Sequence, residues 1–138
     1  MRKIPFFVQL ILIAILIGVI VSIVELFVGH KMILDPLLHE MDPNFISESY
    51  FAPTYYGLTK MIAVALTFFF IYLCTSKSKM KPILKSAMVG VIGTIIFGIY
   101  HSATLPNLSF ISTAVLLLVH FVSIGAITFL IVKILKFQ

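Results

Sequence analysis

From Ile4 to Val24 the chain carries no charged side chain, and Gln9 is the only amide in that run. A helix rises 1.5 Å per residue, so Pro5 to Val28 covers a bilayer hydrocarbon core of roughly 30 Å. Pro5 falls where the first turn of a helix tolerates a missing N–H. Met1-Arg2-Lys3 has the charge of a signal-peptide n-region. The apolar run exceeds an h-region of about 7–15 residues, and no small-x-small cleavage site follows it. The segment is therefore expected to remain in the chain as a transmembrane helix.

Three further stretches repeat the constraint. Met61 to Cys74 is purely apolar and extends outward through Tyr56-Gly57-Leu58, with Lys60 expected to snorkel to the interface. Pro82 opens a third stretch that runs to about His101, and Pro106-Asn107 marks a tight turn before Phe110 to Val132. These patterns predict an all-α integral membrane protein, a four-transmembrane-helix antiparallel bundle in one domain over 1–138. Its spans are expected near 5–28, 57–75, 83–102 and 110–132. A content of 61% hydrophobic and 11% charged residues excludes an ordinary soluble globule.

A formal charge of +5 would suggest nucleic acid in a soluble chain. Here the charges are placed by topology. Arg2, Lys3, Lys77, Lys79, Lys81, Lys85, Lys133 and Lys136 flank the spans on one common side, whereas Glu25, Asp35, Glu40, Asp42 and Glu48 fall on or near the other. Cytoplasmic loops are enriched in Lys and Arg. A multi-pass cell-membrane protein with both termini in the cytoplasm is expected, with the lipid bilayer as its first partner and no nucleic acid.

Residues 29–56 then form one long outer loop. Asp35-Pro36 reads as a helix start, and Leu37, Leu38 and Met41 suit a short interfacial helix that Pro43 would stop. Phe45, Tyr50, Phe51, Tyr55 and Tyr56 supply an aromatic belt. Within the spans, small residues recur at every fourth position: Ser86, Gly90, Thr94, Gly98 and Ser102 in one helix, and Ala14, Gly18 and Ser22 in another. Close backbone approach holds helices together in lipid, so the two stripes are expected to meet at the bundle centre.

Few residues offer chemistry. Glu25 is the only carboxylate inside a span, and such a group is by default a candidate functional site. Antiparallel geometry suggests His101 as its neighbour, about one turn below the outer surface. His120 lies deeper, about 15 Å from the outer end of its helix, at the level of Thr67 and Thr94 and with Ser123 on its face. Because His101 and His120 differ in depth, a bis-imidazole haem does not fit between them. Asp35, His39 and Asp42 share one side of the proposed short helix and form a candidate transition-metal group at the outer surface, with His30, Glu40 or His101 to complete it. The single cysteine, Cys74, excludes an internal disulfide and a CxxC motif. Walker A, GxGxxG, HExxH and GxSxG motifs are absent from the sequence.

Small-residue packing faces and few intramembrane charges suggest a non-catalytic accessory subunit of a larger membrane complex, such as a respiratory or oxidase-type assembly, bound to other integral membrane subunits. The alternative is a small homo-oligomeric ion, proton or metal transporter using Glu25, His101 and His120. A third reading is a metal-dependent membrane enzyme with its site at the outer surface.

Overall fold

A computed structural model of the chain describes residues 4–41, 53–104 and 109–137, the side chains of 53–55 and 101–104 excepted. Among the described residues there is no β-strand. Helix α1 (Phe6–Val24) runs into a π-helical segment (Glu25–Leu34) and then α2 (Asp35–Met41), and α3 (Pro53–Cys74), α4 (Pro82–Thr104) and α5 (Phe110–Ile134) follow. Four of these runs are long and apolar enough to cross a membrane: Phe6–Met41, Tyr56–Cys74, Pro82–Tyr100 and Phe110–Ile134. The protein is a multi-pass membrane bundle with its apolar outer faces turned to lipid.

The first span differs from expectation. A helix end near residue 28 and a fresh start at Asp35-Pro36 are replaced by 36 continuous helical residues. Asp35 keeps helical angles (φ −62°, ψ −45°) and its N–H donates to His30 O, five residues back. In an α-helix the ring of Pro36 would strike the carbonyl four residues upstream and remove its donor. The wider i→i+5 turns ahead of the proline relieve that clash, and such turns recur at functional sites. Residues 42–52 of the expected outer loop, with Asp42, Pro43, Phe45, Tyr50 and Phe51, lie outside the described residues, and 53–56 belong to the start of α3.

Helix pairing also departs from expectation. The tightest pairs are α1 with α3 and α4 with α5, and α3 joins the two pairs. The Ala14-Gly18-Ser22 stripe therefore packs on α3, not on α4. A Cβ at Gly18 would lie 2.5 Å from Met61 O and 3.1 Å from Ala65 Cβ, and Ser22 Oγ donates to Gly57 O at 2.7 Å. The second stripe faces α5: a Cβ at Gly90 would lie 3.2 Å from both Gly125 Cα and Phe121 O. Each stripe finds its match in the neighbour's own small residues, Gly57 and Ala65 on α3 and Gly125 on α5. Sequence spacing reveals a small face but not which small face it meets.

One end of the bundle gathers Phe6, Tyr72, Lys85 and Phe137. Phe137 stacks on Phe6 (5.7 Å between ring centroids), lies 5.9 Å from Tyr72, and is nearly buried. Lys85 Nζ donates to Thr75 O at 3.1 Å and closes the 75–81 turn. At the C-terminal end of α5 the chain turns through a Schellman motif: Phe137 N–H donates to Val132 O at 3.0 Å and Lys136 N–H to Lys133 O at 3.2 Å. Lys136 takes the left-handed position (φ 51°) that glycine usually fills. Phe6 and Phe137 thus lie at the same end of the bundle as the 75–81 turn.

The main core consists of Leu10, Ile17, Val21, Val64, Phe68, Val89, Phe97 and Ile124 with their neighbours. A smaller cluster of Leu34, Leu38 and Leu116 fastens α2 and the π-helical segment to α5. Between the two clusters lies a polar centre.

Candidate functional site

Three helices deliver charged or ionisable side chains to one point inside the bundle. Glu25 comes from the first turn of the π-helical segment, Lys60 from α3 and His120 from α5, and all three are fully buried. Lys60 Nζ donates to Glu25 Oε2. His120 Nδ1 lies 2.5 Å from Glu25 Oε2 and 2.5 Å from Lys60 Nζ, so these three atoms form a tight triangle. Ser123, one turn along α5 from His120, donates its hydroxyl to Glu25 Oε1.

Phe97 of α4 closes the side of the centre. Its ring lies 4.2 Å from Lys60 Nζ and stacks on His120 at 5.6 Å between centroids. The ammonium thus meets a carboxylate on one side and a ring face on the other, and both stabilise a cation out of water. Buried charges are kept only when paired and hydrogen-bonded, and each charged group here has such partners.

A second polar group continues from the centre toward the end opposite the basic turn. Tyr56 lies one turn before Lys60 on α3, and its hydroxyl accepts from Lys60 Nζ at 3.4 Å. His30 Nε2 meets the same Tyr56 hydroxyl, and His30 Nδ1 lies 3.4 Å from Asp35 Oδ1. His30, Asp35 and Tyr56 are all nearly buried. The hydrogen-bonded series Asp35–His30–Tyr56–Lys60–Glu25 therefore leads inward to His120 and Ser123.

The π-helical turns make this series geometrically available. At 3.6 residues per turn, Glu25 and His30 would point about 140° apart around an α-helix. With i→i+5 turns they stand one above the other, and Glu25, His30 and Leu34 share the buried face. His120 stands about 15 Å of helix from Phe110 and about 21 Å from Ile134, well inside the hydrocarbon depth.

The basic-turn side of the centre is apolar. One helical turn from Glu25, Lys60 and His120 in that direction lie Val21, Val64 and Ile124, all fully buried. Gly93 on α4 completes the layer, because a Cβ there would lie 3.1 Å from Ile124 Cδ1. The polar series stops at this layer.

Several expected placements change. Glu25 does not sit near the end of its helix, because the helix continues to Met41, and this brings it level with the deep His120. Lys60 does not snorkel outward; it is the internal cation of the centre. The side chain of His101 lies outside the described residues, so the expected Glu25–His101 contact is not among those seen. Of the outer-surface group, Asp35 is buried against His30 while His39 is exposed, and Asp42 lies outside the described residues. Among the described residues, Glu25, His30 and His120 offer three metal-type ligand atoms within 4.8 Å of one another.

Glu25 and His120 were candidates from the sequence; the signal that could have added Lys60 is its charge, opposite to that of Glu25, within a separate apolar segment. No known protein family, curated protein or solved structure matches the chain.

Proposed function

We propose that the protein is a small cation transporter of the cell membrane, with the Glu25–Lys60–His120 centre as its cation station. The observation that carries this reading is a fully buried carboxylate beside an imidazole, joined by hydrogen bonds to the buried Tyr56, His30 and Asp35. Ionisable groups at hydrocarbon depth are costly, and they mark ion and substrate paths. The Lys and Arg distribution orients the bundle with both termini and the 75–81 turn in the cytoplasm. The polar series then extends toward the outer side, and the Val21–Val64–Ile124 layer is the inner gate. Release to the cytoplasm requires that layer to part, as alternating access demands.

Reconstitution in liposomes tests the reading directly. Wild-type protein should carry Na⁺, K⁺, H⁺ or a divalent cation at a rate above protein-free vesicles, and Glu25→Gln should abolish that flux. A flux indifferent to Glu25→Gln, or none for any of these cations, would sink the proposal.

One observation favours a second reading, the accessory subunit of a membrane complex. Lys60 already neutralises Glu25, and the triangle ties the π-helical segment, α3 and α5 together as a structural clamp would. A mild-detergent pull-down of tagged protein from its native membrane separates the two. Stoichiometric membrane partners support the subunit; a discrete homo-oligomer supports the transporter.

A further inference from the structure

We infer that Glu25, His30 and His120 form a binding site for a divalent transition metal, with the Lys60 ammonium as a tethered competitor that holds the metal's place. This inference rests on the transport reading and names the cation class. The three residues present a carboxylate oxygen and two imidazole nitrogens within 4.8 Å of one another. That donor set suits zinc and its neighbours in the first transition row and is foreign to Na⁺, K⁺ or Ca²⁺ sites, which are built of oxygen. Three protein ligands leave a fourth tetrahedral position open, as in zinc sites that exchange what they bind.

The surroundings of the ligands point the same way. His30 turns Nδ1 toward Asp35 Oδ1 at 3.4 Å, which leaves Nε2 facing Tyr56 and the centre. A carboxylate behind the far ring nitrogen is how metal-ligating histidines are oriented and made more basic. Glu25 is held in the same manner, with Ser123 on Oε1 while Oε2 faces the other ligands. Both orienting groups stand outside the triangle, and both aim ligand atoms into it.

Lys60 explains how such a site would be stable without its metal and able to let it go. Its ammonium lies against Glu25 Oε2 and 2.5 Å from His120 Nδ1, where a cation between those ligands would sit. An ammonium and a divalent ion cannot share that space, so metal entry requires Nζ to withdraw toward the Tyr56 hydroxyl, 3.4 Å away. The Tyr56 hydroxyl in turn leaves His30 Nε2. With ligand bonds of about 2.0 Å, the Glu25 Oε2 to His120 Nδ1 distance opens from 2.5 Å to about 3.3 Å. A displaced lysine nearby keeps the affinity moderate, and transport needs a cation that binds yet also leaves.

The test is a Co²⁺ titration of the full chain in detergent micelles, read by the visible ligand-field spectrum and by Zn²⁺ competition. One Co²⁺ per chain with a tetrahedral spectrum is expected. His30→Gln and His120→Gln should each abolish that spectrum, and Asp35→Asn should weaken binding by about 10–100-fold. Lys60→Gln should tighten binding by at least about tenfold, because the competing charge is gone. The inference is overturned if folded wild-type and Lys60→Gln proteins bind no Co²⁺, or if binding survives loss of both histidines. Should Glu25-dependent Na⁺, K⁺ or H⁺ flux persist without metal binding, the metal falls and the transporter stands; with neither metal nor flux, both fall.

Discussion

Removing Glu25 and Lys60 separately and together gives the most informative stability measurement on this protein. Glu25→Gln leaves the buried Lys60 ammonium with His120, Tyr56 and the Phe97 ring but without its carboxylate. Lys60→Met leaves the Glu25 carboxylate with Ser123 and His120 but without its ammonium. Breaking a buried pair by removing one partner costs about 3–5 kcal/mol, because a charge remains uncompensated. Replacing both partners by groups of similar shape is often close to neutral. Independent sites would make the double variant lose about 6–10 kcal/mol, the sum of the single losses. The triangle predicts a double variant near wild type instead, with a coupling of about 3 kcal/mol or more. Equilibrium unfolding of the four proteins in mixed micelles by SDS titration, followed by circular dichroism, measures the cycle. Single variants that each lose less than about 1 kcal/mol, or losses that simply add, would refute the reasoning.

Three further outcomes follow from packing and hydrogen bonding. Gly18→Val should destabilise the bundle by about 1–3 kcal/mol in the same unfolding assay, because its Cβ would press on the Met61 carbonyl of α3; an unchanged midpoint would mean that α1 and α3 do not touch there. Thr128 Oγ1 is buried without a hydrogen-bond partner, so Thr128→Val should be neutral or stabilising by up to about 1 kcal/mol, and a marked loss would reveal a bond to that hydroxyl. Lys136→Gly should stabilise the C-terminal turn by about 1 kcal/mol, since glycine accepts the left-handed angle without a Cβ penalty, and a lower unfolding midpoint would refute the Schellman geometry.

What the sequence determined by itself was the kind of molecule. Four apolar stretches of membrane-spanning length leave helices as the structure that satisfies every backbone group in lipid, and Pro82 and Phe110 mark helix starts that the fold keeps. Gly18, Ser22, Gly90 and Gly98 were also legible as positions of close approach, because small side chains at four-residue spacing have few other uses in lipid. Tertiary structure alone decided the partners. Which small face meets which depends on the whole arrangement of helices, so the stripe on α1 found α3 and the stripe on α4 found α5. The candidate site was hidden for a related reason. Glu25 and His30 lie on different faces at the α-helical period and on one face only after the π-helical turns. Lys60 is a snorkelling lysine by position and an internal cation only once Glu25 and His120 stand beside it. Sequence periodicity reports local geometry, whereas the depth at which three side chains meet depends on where each helix ends, how it is wound, and what packs against it.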